Sequence, residues 1–453
     1  MPAHIWGQVQ EAVEVAQRSG SGPAIARALS CRAHYLTSDH RALEALSDAE
    51  ASYRLAARTG QVDTMGNAAI WQANALWDLG RVSQFTEATQ AASLALFAVG
   101  SSQTGYFVAA LAAEALLDTG RWTECRDTLR DALSSCRAGF AGARVRHGAA
   151  RLAARRGEAA IAQQHLDRAL ELVPMDFVGM DGPLVLLERL VGRGESERAL
   201  ELFSPILTKS MSLGFGAGDA ELLLWGARAA ADVAERARDR RDVGAEQEAI
   251  RELDELLAMA EATPLSRPGL SVEADPIWSA YRAMMVAETS RCRASAGQAA
   301  NWEQAVSSCG AIGFRWLEAM AQWRLAQALL SEDAAKSVVA EPLRGAHVTA
   351  LELGAAPLVE ATGLLATIAR IRLDEPVAPT QHATEWPTAL ATLTSREREV
   401  LGHLVAGRTN AEIARDLFIS DKTVSVHVTN VLRKTGTSSR IGVAALARRL
   451  GVH

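Results

Sequence analysis

The sequence has 453 residues, 49% hydrophobic and 22% charged, too long for one compact core and too apolar for a disordered chain. The formal net charge is −6; no apolar run is long enough to span a bilayer, and Met1–Gln10 lacks the basic-then-apolar pattern of a signal peptide, which reads as a cytoplasmic chain. Five scattered cysteines (Cys31, Cys125, Cys136, Cys292, Cys309) show no metal-ligand spacing, so reduced, mostly buried thiols and no metal or cofactor are expected.

Residues 1–372 read as helix after helix. Apolar residues recur at helical spacing, as in Ala73, Leu76 and Trp77, or Leu166, Ala169, Leu170 and Val173, and no strand alternation is convincing. Glycine breaks the pattern at Gly80, Gly120, Gly157 and Gly194, separated by 40, 37 and 37 residues. Glycine just past a helix takes the left-handed conformation without strain. A period of this length, with one helix pair per unit, is the mark of a tetratricopeptide-like solenoid; an irregular helical bundle is the alternative. Thr37–Asp39 and Ser331–Asp333 read as glycine-free versions of the same turn. Two stretches should interrupt the array: 204–219, rich in Gly, Ser and Met, and 263–276, which holds Pro264, Pro268, Gly269 and Pro276 and is a candidate lobe break. Gly182-Pro183 and the loop from Gly214 to Gly218 are flexible enough to serve as lids. Eight of ten tryptophans lie between Trp71 and Trp323; filling gaps between helix pairs is the simpler reading, lining a groove the other.

Residues 373–390 contain Pro376, Pro379 and Pro387 without an apolar period and read as a linker. Beyond it, 391–453 reads as a small four-helix domain. Thr394 with Glu397 and Thr409 with Glu412 form two capping boxes. Val400, Leu401 and Leu404 make one inward stripe and Ile413, Ala414 and Leu417 another. Ser420 caps a third helix, about 421–435, with Val424, Val428, Val431 and Leu432 inward and Gly436 at its end. A fourth helix, about 439–450, turns Val443, Ala444 and Leu446 inward. The Glu/Arg run at 396–399 reads as a solvated, i,i+4-paired face. Short helices joined by the tight turn Phe418-Ile419-Ser420 are helix-turn-helix geometry, with the third helix as the one that enters the major groove. From Leu390 onward the chain has ten Lys/Arg against five Asp/Glu, leaving 37 against 48 for the rest. A basic module on an acidic body is the asymmetry expected when one module meets phosphate.

The segments Leu393–Leu401, Gly407–Ala414, Ile419–Val428 and Arg433–Gly436 resemble the LuxR/FixJ/NarL-type DNA-binding domain over about 60 residues. The resemblance implies phosphate contacts at Thr409, Asn410 and Thr423, base readout at Lys422, Ser425, Val426 and Thr429, and a grip on the flanking backbone at Arg433, Lys434 and Arg440. Ser425 and Thr429 depart from the commonest family pattern, which leaves the operator open and gives more room to indirect readout. The family's fourth helix often pairs two domains, here through the Ile441, Ala444, Ala445 and Arg448 region. The segment Leu351–Glu360, joined by the linker to the DNA-binding domain, is similar to the solenoid end of large LuxR-class regulators, although no Gly precedes a Lys anywhere and a P-loop is therefore absent. No enzyme motif is found. The expectation is a non-enzymatic transcriptional regulator that binds a pseudo-palindromic duplex as a homodimer, its solenoid serving self-association or sensing a protein or small-molecule effector. The alternative is an interaction scaffold with a weak, phosphate-gripping tether.

Overall fold

The computed structural model describes residues 3–39, 41–135, 139–173, 181–213, 217–262, 276–374, 395–405, 408–416, 421–435, 437 and 439–449. The chain divides into two compact units, Met1–Val377 and Ala378–His453, and among the described residues all regular structure is helical. The linker prolines and the 263–275 stretch lie outside the described residues, as do Cys136, Thr394, Leu417, Ser420 and Gly436.

The first unit opens with α1 (Ala3–Ser19), α2 (Gly22–Ser38), α3 (Ala42–Thr59), α4 (Val62–Asp78), α5 (Val82–Ala98) and α6 (Ser102–Asp118). It continues with α7 (Trp122–Ser135), α8 (Phe140–Arg156), α9 (Ala159–Leu172), α10 (Asp181–Gly192), α11 (Ser196–Leu213) and α12 (Ala217–Asp239). It closes with α13 (Val243–Ala262), α14 (Pro276–Cys292), α15 (Gln298–Ala311), α16 (Arg315–Ser331), α17 (Lys336–Leu353) and α18 (Ala356–Ala369).

The turns explain the regularity. In each, the amide just beyond the left-handed residue donates to the carbonyl five residues back: Arg81 to Leu76 at 2.9 Å, Ser101 to Leu96 at 2.9 Å, Arg121 to Leu116 at 2.8 Å. Gly60, Gly80, Gly100 and Gly120 all have positive φ, so a turn falls about every twenty residues. The forty-residue spacing read from the sequence is the whole repeat; the turns at Gly60 and Gly100 lie inside the pairs and have no counterpart in that spacing. Asp333 (φ 56°) and Arg370 (φ 54°) take the same corner without glycine. The expected interruption at 204–219 is largely helical: α11 runs through Pro205 because Phe203 and Leu207, on either side of it, are buried. Gly182 and Pro183 are buried at the start of α10 rather than forming a loop; residues 214–216 of the other expected lid lie outside the described residues.

Each helix packs on the next, and the even-numbered helices from α2 to α14 also pack on one another, as do α16 and α18. That is solenoid packing. It buries the even helices on two faces, which selects small residues: Val108 to Ala113 in α6 is an uninterrupted buried run. The array also curls back on itself. Helix α4 meets α14, α6 meets α16 and α8 meets α18, so five helix pairs complete one turn. Gly120 lies at such a meeting. It has φ +78°, and a Cβ there would stand 2.9 Å from Leu353 Cδ2 and 3.1 Å from Arg315 Cβ. Gly120→Ala should cost about 2–4 kcal/mol, the left-handed penalty plus the clash. Gly100→Ala, with φ +81° and open space around it, should cost only the penalty of about 1–2 kcal/mol. Urea midpoints compare the two; equal losses would deny the close approach.

Two buried ionic clusters tie the inner layer together. Arg155 donates to Asp118 at 3.0 Å and to Glu188 at 2.6 Å, and lies 4.0 Å over the Trp316 ring. Arg151 donates to Glu188 at 2.6 Å and also pairs with Glu221. Further along, Arg291 holds Asp232, Glu235 and Glu288 at 2.6–2.7 Å, and Arg324 reaches Asp232 at 3.2 Å. Trp122, Trp225, Trp302 and Trp316 are buried between helices. Cys125, Cys292 and Cys309 are buried free thiols and Cys31 is exposed; burial pushes the Cys125 thiol up to about 12. Among the described residues no helix is long and apolar enough to cross a membrane, and no His/Cys/Asp/Glu group could hold a metal.

Candidate nucleic-acid interface

The second unit contains α19 (Ser395–Val405), α20 (Asn410–Asp416), α21 (Asp421–Thr435) and α22 (Arg440–Arg449). Their helical stripes meet in one core: Val400, Leu401, Leu404, Val405, Ile413, Ala414, Val424, Val431, Val443 and Ala447 are buried, with Val428, Leu432 and Ala444 packed against them. Helix α21 rests on α19, α20 and α22.

The N-terminus of α20 is fixed by its capping box. The Thr409 amide donates to Glu412 Oε2 at 2.7 Å, and the Glu412 amide donates to Thr409 Oγ1 at 3.3 Å. One residue on, Asn410 Nδ2 donates to Ser425 Oγ at 3.2 Å, so the first turn of α20 is tied to the outward side of α21. Ser425, Thr429 and Arg433 are exposed along that side, four residues apart and hence on one face. The Thr429 hydroxyl donates to the Ser425 carbonyl at 2.9 Å. Its proton is thereby spent within the helix, and Thr429 offers outward a methyl group and an acceptor. The side chains of Lys422, Thr423 and Val426, predicted on the same helix, lie outside the described residues.

Two residues expected to grip backbone phosphates are engaged within the protein. Arg440 Nη2 donates to the Arg408 carbonyl, pinning the start of α22 to the turn before α20. Lys434 Nζ donates to Glu397 Oε2 at 2.7 Å. Glu397 is 4% exposed, which corrects the reading of residues 396–399 as a wholly solvated face. The signal was there: Glu397 precedes Val400, Leu401 and Leu404 by three, four and seven residues, in register with the buried stripe. Its charge masked its position, and the partner stands 37 residues away.

The family model for bacterial regulatory proteins of the luxR family matches residues 391–447. The chain is 46% identical over 59 residues to the spore germination protein GerE of Bacillus subtilis, covering 13% of this chain and 80% of that one. It is 42% identical over 69 residues to the transcriptional regulatory protein LiaR of Bacillus subtilis (15% of this chain, 33% of the relative). With the transcriptional regulatory protein FixJ of Bradyrhizobium diazoefficiens it shares 36% identity over 111 residues, 23% of this chain and 54% of the relative. The chain thus spans only about a third of the length of LiaR, but most of the compact GerE. Matching domain, four-helix core and exposed third helix agree: the chain belongs to the luxR family of bacterial regulatory proteins, through its C-terminal helix-turn-helix.

Proposed function

We propose that this protein is a transcriptional regulator that binds double-stranded DNA by laying α21 in the major groove. The observation that carries this reading is the face Ser425–Thr429–Arg433, exposed on a helix whose opposite side builds the core. Such a helix presents side chains to base edges while the N-terminus of α20, with Thr409 and Asn410, faces the phosphates. The Thr429 methyl suits the methyl group of thymine. Ser425, which accepts from Asn410, stands on the same face. Lys422, Thr423 and Val426 share the helix and complete the proposed contact set, with Arg433 on the flanking backbone. The protein binds as a homodimer on a pseudo-palindromic site, α22 pairing the two domains, and the helical array serves self-association or senses an effector. The basic balance of residues 390–453 against the acidic remainder supports contact through this module alone.

A duplex enriched from a random library by the full chain, titrated against salt beside a scrambled duplex, tests the reading. The enriched duplex should bind ~10³-fold or more tightly at equal salt; equal affinities overturn specific regulation and favour the scaffold with a weak tether. Arg433→Ala should weaken both duplexes alike and lower the salt slope by about one. Thr429→Ala should instead relax preference at one base position, read by repeating the enrichment with the variant.

A further inference from the structure

Within the curl of the first unit lies a partly open cavity of about 200 Å³, lined by α4, α5, α6, α8, α10, α12 and α14. One side is aromatic, with Trp77, Phe85 and Tyr281; the other is ionic, with Glu114, Asp118 and Glu221 among arginines. The charges do not balance. Glu114 has Arg144 at 3.0 Å. Asp118, Glu188 and Glu221, however, share two guanidiniums, those of Arg151 and Arg155. Among the described residues this cluster therefore carries one carboxylate more than it has arginines, in a place where an unmatched charge is costly. Tyr281, 3% exposed, lines the same cavity within electrostatic reach of Asp118 and Glu188.

We propose that this cavity binds a small organic monocation, an ammonium on a compact apolar body. The ammonium supplies the missing positive charge to the Asp118–Glu188–Glu221 cluster and donates to the Tyr281 hydroxyl oxygen. The apolar body lies against Trp77 and Phe85, where an aromatic wall also favours a cation. The volume is below the roughly 300–1,000 Å³ of pockets for drug-sized ligands, so the body is no larger than one ring and a short arm. Because Tyr281 belongs to α14 and Trp77 to α4, which meet across the curl, an occupant bridges successive turns of the superhelix and favours the closed array. The use of this site as an effector site rests on the DNA-binding reading; the binding itself does not.

Calorimetry on the full chain with 2-phenylethylammonium, 2-phenylethanol and 3-phenylpropionate tests the proposal without DNA. The ammonium should bind with Kd at or below about 1 mM and the other two at least tenfold more weakly. Tyr281→Phe, which removes only the hydroxyl, should weaken the ammonium about fivefold, and Glu221→Gln at least tenfold, with helicity and urea midpoints checked for each. No binding, equal binding of the three probes, or indifference to both substitutions overturns the proposal. So does binding that appears only in His147→Gln, because His147 also lines the cavity and a protonated imidazole would then already hold the cation's place.

Discussion

Glu397→Ala in the full chain should weaken duplex binding by unfolding part of the second unit while leaving the helical array folded. Glu397 carries no expected DNA contact, so the loss is one of structure. Its side chain is 5% exposed and that of Lys434 23%, which places the pair between a surface bridge and a buried one. Removing one partner of a buried pair costs about 3–5 kcal/mol, and partial exposure brings this to about 2–3 kcal/mol. A core of this size supplies only about 3–5 kcal/mol in total, so at most about 3 kcal/mol remains and at the low end about half of the molecules lose the second unit. Anisotropy with a labelled duplex reads the binding, and limited proteolysis reads which unit opens. Lys434→Ala should cost at least as much, because it strands the more buried partner. The double substitution Glu397→Leu with Lys434→Met should restore the fold, since apolar replacement of both members is close to neutral. If the double variant binds within about tenfold of the native chain, Lys434 acts by holding α21 to α19. If Lys434→Ala alone leaves the fold intact and lowers the salt slope by about one, Lys434 grips a phosphate instead.

The second unit was legible in the sequence because its determinants are local. Capping boxes four residues long and stripes of period 3.6 name Val400, Leu401, Ile413, Val424, Val431 and Val443 as core, and all are buried. What stayed hidden joins distant positions: Glu397 with Lys434, Asn410 with Ser425. In the first unit the same division holds. The turns at Gly80 and Gly120 are local and legible. The curl that brings Gly120 against Leu353 is set by small rotations accumulated over ten helices, and no window of sequence contains it. Helices α14 and α16 carry Glu288, Arg291 and Arg324 on sides that elsewhere would be solvated. With buried residues on several sides, they show no amphipathic stripe, and the Asp232–Arg324 contact spans 92 residues. The cavity inherits this opacity, because its walls come from seven helices.

Asp232→Asn should remove a distinct part of the acid sensitivity of the first unit. Burial raises the Asp232 pKa, but Arg291, Arg324 and Arg228 outweigh it and hold the carboxyl at about 2, below its ordinary 3.8. A depressed carboxylate contributes stability that is fully present above the unfolded value and is lost as pH falls from about 4 towards 2. The shift corresponds to about 2 kcal/mol. At neutral pH the substitution should cost more, about 3–5 kcal/mol, because Arg291 and Arg324 lose their common counter-charge inside the fold. Arg324 has the weaker hold: burial already lowers its pKa to about 10, and without Asp232 it is the group that gives up its charge or drags in water. Urea midpoints from pH 7 to pH 2 should therefore show the native chain and the variant furthest apart at neutral pH. The gap should narrow by about 2 kcal/mol below pH 4, where protonation does to the native carboxyl what the substitution has done already. Parallel pH profiles would mean that Asp232 is not the hub of the cluster, and that Glu235 and Glu288 carry Arg291 between them.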